Sequence, residues 1–316
     1  MNPPHFVRPD VRALLDVLAA SDQPPMGSLD APATRAFYAA TRDATDLEVG
    51  EIAVMRDFTA PGEAGPIALR LFDARAERAP GPLIVFFHGG GFVVGDLDSH
   101  APLCAEIARQ TDLPLIAVDY RLAPEAPFPA APDDCLAAAR WIAEHGAVSG
   151  REASGLVLIG DSAGANLAIV TALTLRDTPA AVPVVAQALL YPVVEKISVR
   201  GSEADFGVGY LLTSEGMRWF DDLYAVRGEN DPRAYPLPVS QAGMPPTLVM
   251  TAGLDPLRDQ GRRYAAACVE AGVETLYLEA RGTIHGFACM RRAIPSAQAD
   301  VARFVAHVGL LVGGAA

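Results

Sequence analysis

Lysine is almost absent from this chain: of 25 basic residues in 316, only Lys196 is a lysine and the rest are arginine. Set against 38 Asp and Glu, they leave a net charge of −13. That balance argues against nucleic acid or an anionic membrane surface as partner, because each requires a basic face. Cysteine is scarce as well. Cys104, Cys135, Cys268 and Cys289 are scattered without a CxxC pair, and the six histidines show no HxxxH spacing. Reduced thiols in a cytoplasmic protein follow from that pattern, and neither a metal nor an organic cofactor is expected. Long apolar runs are missing too. The stretch 181–194 carries Pro183, Gln187 and Pro192, and 156–175 is broken by Asp161 and Asn166; both fall short of the roughly 20 uninterrupted apolar residues of a membrane span. The start, MNPPHFVRPD, is Pro-rich and charged and does not resemble a signal peptide.

What is abundant is apolar residues, 51% of the chain, enough to cover both faces of a large sheet. Short apolar runs bounded by Gly, Pro or Asp predict strands at 67–72, 83–87, 113–118, 156–159, 184–190, 247–251 and 275–278. Helical patterns lie between them at 101–110, 131–145, 163–176, 257–271 and 295–308. From about Glu51 onward this alternation implies crossover connections and an α/β fold with a mostly parallel central sheet flanked by helices. Two stretches depart from it. Residues 1–45 hold helix-like pieces at 11–20 and 34–41, and residues 195–240 are irregular around an amphipathic piece at 214–224. Insertions of that length are usually lids or binding loops, a peripheral surface excursion being the plainer alternative. A single domain over 1–316 is therefore expected, with a helical cap built from about 1–45 and 195–240.

Three segments carry chemistry. Gly160-Asp161-Ser162-Ala163-Gly164 follows the strand at 156–159 and opens a helix. A nucleophilic serine at a sharp strand-to-helix turn needs such small neighbours; the plainer alternative is a glycine-rich turn in which Ser162 caps the helix. His88-Gly89-Gly90-Gly91-Phe92 ends the strand at 83–87. Consecutive glycines let a loop turn its amides onto one point, as a tetrahedral oxyanion requires. A phosphate loop is the competing reading, but neither GxGxxG nor GxxxxGK occurs. A serine hydroxyl also needs a base held by a carboxylate. Of the histidines after Ser162, His307 falls inside the last helix, whereas His285 lies in a loop just beyond the final strand, at the sheet end where Ser162 emerges. Asp255, at the exit of the strand 247–251, is placed to reach His285; Asp259 falls in the first helical turn, where a carboxylate suits the helix dipole. His88 more naturally shapes the glycine loop than acts as base.

Together these residues resemble the hormone-sensitive-lipase-like carboxylesterases of bacteria, within the α/β-hydrolases. The likeness spans roughly 82–291 and rests on HGGGF at 88–92, DYRLAPE at 119–125, GDSAG at 160–164, Tyr191-Pro192, DPLRD at 255–259 and HGF at 285–287. It implies the α/β-hydrolase fold, a triad of Ser162, Asp255 and His285, and oxyanion amides at Gly90, Gly91 and Ala163. It also implies a two-part helical cap and hydrolysis of small-molecule esters with short to medium acyl chains. Relatives often read GDSAGGN, so Ala165 replaces a glycine here; a methyl group there favours the helix if anything. DYRLAPE, with Pro124, Pro127, Pro129 and Pro132 in and after it, is expected to be structural. The aromatics Phe37, Tyr38, Phe206, Tyr210, Trp219 and Phe220 either line an apolar pocket or pack the cap. An amidase or deacetylase would use the same triad, and a ligand-binding homologue would have lost one of its members. Dimers through the last strand or helix occur among relatives and are compatible with this chain.

Overall fold

The computed structural model describes residues 5–313 except 23, 26, 151 and 227–230. Residues 1–4 of the Pro-rich start, and 227–230 within the second stretch expected to form a cap, thus lie outside the described residues. Among the described residues eight strands form one sheet: β1 (Val54–Gly62), β2 (Gly65–Asp73), β3 (Gly81–Phe87), β4 (Leu115–Asp119), β5 (Ala153–Asp161), β6 (Val184–Leu190), β7 (Thr247–Leu254) and β8 (Thr275–Ile284). Their order is β1-β2-β4-β3-β5-β6-β7-β8. All neighbours from β4 to β8 run parallel, while β2 is antiparallel to both β1 and β4. The expected alternation from Glu51 onward is therefore corrected at its start, where three strands precede the first crossover helix. β1 escapes the sequence reading because it is an edge strand; most of its side chains are exposed, so no apolar run marks it.

The sheet separates two cores by the pleat of its strands, since successive side chains point to opposite faces. Leu83, Val85 and Phe87 of β3 join Leu156 and Leu158 of β5 on one face. That face is covered by α4 (Ala130–Glu144), α5 (Ala163–Asp177) and α8 (Arg258–Glu270), through residues such as Ala138, Leu167 and Tyr264. Ile84 and Phe86 of β3, with Val157 and Ile159 of β5, point the other way. They meet α3 (Ala101–Thr111) and α9 (Ala297–Gly313) through Cys104, Ile107 and Phe304. Among the described residues no helix is long and apolar enough to cross a membrane.

Four further helices, α1 (Pro9–Ala20), α2 (Ala31–Thr45), α6 (Ser202–Phe206) and α7 (Ser214–Tyr224), come from the two stretches outside the alternation. Local capping explains their starts. Asp30 accepts the Ala33 N–H at 2.9 Å ahead of α2, and Thr213 accepts the Gly216 N–H at 3.0 Å ahead of α7. The end of α2 is fastened by a buried ion pair: Asp46 accepts from Arg291 Nε at 2.8 Å and Nη2 at 3.0 Å. The backbone N–H of Arg291 adds a third bond at 3.2 Å. Losing one member of a buried pair strands the other charge. Asp46→Ala should accordingly cost about 3–5 kcal/mol of stability, read as a lowered denaturant midpoint; a change below 1 kcal/mol would contradict this account of the fastening.

Candidate active site

β5 delivers its last residues into a turn too tight for ordinary side chains. A Cβ on Gly160 would lie 2.2 Å from the Gly164 carbonyl oxygen, and one on Gly164 would lie 2.0 Å from the Phe87 carbonyl oxygen. Between them Ser162 adopts φ +54°, ψ −118°, a region that costs a non-glycine residue about 1–3 kcal/mol. The turn is held from both sides, by Ser162 N–H to the Leu190 carbonyl at 2.8 Å and by Asn166 N–H to the Ser162 carbonyl at 3.2 Å. Although Ser162 stands at the N-cap position of α5, its side chain makes no capping bond. The helix-cap reading is thus set aside. The hydroxyl faces His285 instead.

His285 directly follows β8, and its Nε2 lies 2.8 Å from Ser162 Oγ. On the far side its Nδ1 lies 2.8 Å from Oδ2 of Asp255. With Asp255 as the carboxylate, Nδ1 carries the hydrogen and donates it, leaving Nε2 to accept the serine hydroxyl. Asp255 is completely buried at the end of β7, and its other oxygen accepts the Leu257 N–H at 2.8 Å. Asp259 is occupied elsewhere, accepting the Ser202 N–H at 2.9 Å and pairing with Arg258 and Arg262. His307 sits in α9 with Nδ1 on the Arg303 carbonyl at 2.7 Å, away from the serine.

Gly90 and Gly91 have φ +116° and +59°, which only glycine adopts freely. Among the described residues no acceptor of the chain takes their N–H groups, while the Gly90 carbonyl accepts from Val93 and Val94 at 3.1 and 2.9 Å. Ala163 opens α5, so its N–H is one of the donors a helix start leaves without an intrahelical partner. His88 does shape this loop. Its Nδ1 bonds the Gly89 carbonyl at 2.8 Å, its ring stacks on Tyr120 with centroids 4.2 Å apart, and the Tyr120 hydroxyl donates to the His88 carbonyl at 2.6 Å. Burial, reinforced by the neighbouring His100, pushes the His88 imidazole down to about 4, so it stays neutral at neutral pH.

DYRLAPE thus has its place as a brace for the glycine loop. Besides Tyr120, Ala123 N–H donates to the Phe92 carbonyl at 2.9 Å. Arg35 of α2 ties the carbonyls of Val93 and Ala123, each at 2.7 Å, to the Glu125 carboxylate. Sequence reasoning missed one grouping. Asp161, His100 and Cys289 bring a carboxylate oxygen, an imidazole nitrogen and a sulfur within 4.8 Å of one another. Its only signal was a charged residue, Asp161, just beyond the apolar run 156–159.

Ser162 and His285 open into a cavity of about 610 Å³. Its walls are mostly apolar: Val17 and Leu18 of α1, Phe37 and Tyr38 of α2, and Met217 and Phe220 of α7. Half of the aromatics in question therefore line it. Phe206 and Tyr210 instead pack on the core beneath, and Trp219 packs against the opposite core and Gly27.

Residues 84–289 match a family model described as the alpha/beta hydrolase fold. The chain is 38% identical over 249 residues to an esterase of Mycobacterium tuberculosis, LipI, covering 76% of this chain and 77% of that protein. To an ethyl acetate hydrolase of Pseudomonas putida it is 34% identical over 305 residues, covering 92% and 95%. A solved alpha/beta hydrolase enzyme from the metagenome of Lake Arreo, 34% identical, superposes with a TM-score of 0.92 over 98% of this chain and 99% of the other. With fold, family model and relatives in agreement, the chain belongs to the α/β-hydrolases, as a carboxylic ester hydrolase of the hormone-sensitive-lipase-like group.

Proposed function

We propose that the chain is a serine carboxylesterase that hydrolyses short- to medium-chain esters of small molecules through an acyl-enzyme. The observation that carries this is the unbroken relay Ser162 Oγ, His285, Asp255, with two contacts of 2.8 Å, at the floor of a largely apolar cavity. Ser162 attacks the ester carbonyl while His285 Nε2 takes its proton. Asp255 keeps the imidazole oriented and balances the imidazolium that forms. The carbonyl oxygen, now an oxyanion, is received by the N–H groups of Gly90, Gly91 and Ala163. His285 then returns its proton to the departing alkoxide and the alcohol leaves. Water attacks the acyl-enzyme with His285 again as base, and the acid is released. The steps draw only on these side chains, these amides and water.

Helices α1 and α2 together with residues 195–240 act in this reading as a cap, because side chains from both parts line the cavity beside Ser162. A volume near 610 Å³ falls in the ordinary range of small-molecule sites, about 300–1,000 Å³, and favours small esters over bulk fats. That the Pseudomonas relative is an ethyl acetate hydrolase points the same way.

With p-nitrophenyl butyrate as substrate, Ser162→Ala should lower kcat by about 10⁶-fold with an unchanged thermal midpoint; retention of most activity would remove Ser162 as nucleophile. Met217→Trp should fill the cavity wall. Octanoyl-ester kcat/KM should then drop at least about tenfold relative to acetyl ester, the scale on which apolar pockets discriminate chain length; an unchanged ratio would place the acyl chain elsewhere.

A further inference from the structure

Immediately before the nucleophile, and with no part in the proton relay, stands a buried carboxylate, that of Asp161. Its Oδ1 accepts the Gly89 N–H at 2.7 Å and lies 3.3 Å from His100 Nε2, while the Tyr191 hydroxyl is 3.5 Å from Oδ2. Gly89 runs so close over it that a Cβ there would meet Oδ2 at 2.4 Å. His100 is itself buried and is steadied by Ser99 Oγ, 3.0 Å from its Nδ1. Burial by itself would drive this carboxyl toward the neutral acid. His100 beside it and the Gly89 amide outweigh that and hold its pKa below the usual carboxylate value. A buried charge is costly unless several partners surround it, so this one is not a filler.

The geometry that needs such an anchor is the convergence of two backbone segments. Ala163 sits on the turn after β5, whereas Gly90 and Gly91 sit on the loop after β3. The β3–β5 ladder ends at Phe87 and Gly160. Beyond it, among the described residues, Gly89 N–H to Asp161 is the hydrogen bond that joins turn to loop. Two carbonyls of that loop segment are already engaged. The Gly89 carbonyl is held by His88 and the His88 carbonyl by Tyr120, which leaves the next two amides to point outward.

We propose that Asp161, backed by His100, is a positioning residue that sets the distance between the nucleophile turn and the glycine loop, so that the amides of Ala163, Gly90 and Gly91 meet at one oxyanion position. This rests on the reading of Ser162 and the glycine loop given above. Its signature is selective. The ground-state carbonyl, with its oxygen still weakly charged, loses little when the amides drift apart, whereas the tetrahedral oxyanion loses much.

The test is Asp161→Asn, which keeps the shape but weakens the acceptor, alongside Asp161→Ala, which removes it. Each is assayed with p-nitrophenyl butyrate and with an alkyl trifluoromethyl ketone, which forms a tetrahedral oxyanion on the serine. Asp161→Asn should lower kcat about tenfold and Asp161→Ala about 10²-fold, the range for a lost or misplaced oxyanion donor. KM should stay within about threefold and the ketone Ki should rise in step with the fall in kcat/KM. If Asp161→Ala does not fold, Asp161→Asn alone decides. Folded Asp161→Asn with wild-type kcat, or with a raised KM only, would overturn the proposal and leave Asp161 a stabilising residue. Ser162→Ala run in parallel separates the two readings: an active Ser162→Ala sinks the serine mechanism itself, whereas an inactive one beside a fully active Asp161→Asn sinks only the role of Asp161.

Discussion

The Gly164 α-carbon passes so near the end of β3 that a single methyl group on it would sit 2.0 Å from the Phe87 carbonyl, and the rest of the site is arranged around that approach. It sets how far the helix α5 stands from the glycine loop. It also forces the chain to reverse within one residue, so Ser162 takes a positive φ that a serine adopts only under constraint. The strain is sustained because both flanks are rigid. β5 lies in the centre of the sheet between β3 and β6, and nearly every residue of α5 up to Leu175 is buried. A serine lifted on so stiff a mount makes no helix-capping bond, and its hydroxyl faces His285.

Buried charge is the second theme. The protein encloses Asp46 with Arg291, Asp255 with His285, and Asp161 with His100. Each of these carboxylates also accepts a backbone N–H, from Arg291, Leu257 and Gly89 respectively. In each case the amide and the charged or titratable side chain reach the carboxylate from elements remote in sequence or from the turn that follows it. Such contacts add little net stability compared with apolar packing, but they tolerate few alternative geometries. Here they sit where geometry matters: at the fastening of α2, behind the His285 that faces Ser162, and between turn and loop.

Much of the architecture was legible in the residues because the physics involved is local. A strand buried on both faces must be mostly apolar, and it was recognisable from β3, β5, β6 and β7 alone. Helix periodicity placed α3, α4, α5, α8 and α9 to within a few residues. β1 went unseen because an exposed edge strand carries no such signature, and with it went the antiparallel start of the sheet. The selection of Asp255 over Asp259 and of His285 over His307 followed from where parallel strands release their loops, a rule of topology that needs no coordinates.

The sequence by itself therefore determined the α/β class, the parallel core, and which serine, histidine and aspartate could meet, since each depends on periodicity, on small residues at a turn, or on chain order. Tertiary structure alone decided which polar groups have no partner and which are spent. The uncommitted amides of Gly90 and Gly91, the engagement of Tyr120 with the loop, the division of the aromatics of 1–45 and 195–240 between cavity and core, and the seating of Asp161 beneath Gly89 all depend on segments far apart in sequence coming together. No periodicity encodes an approach of that kind. It is fixed only when the whole sheet has closed and each buried donor has found, or failed to find, an acceptor.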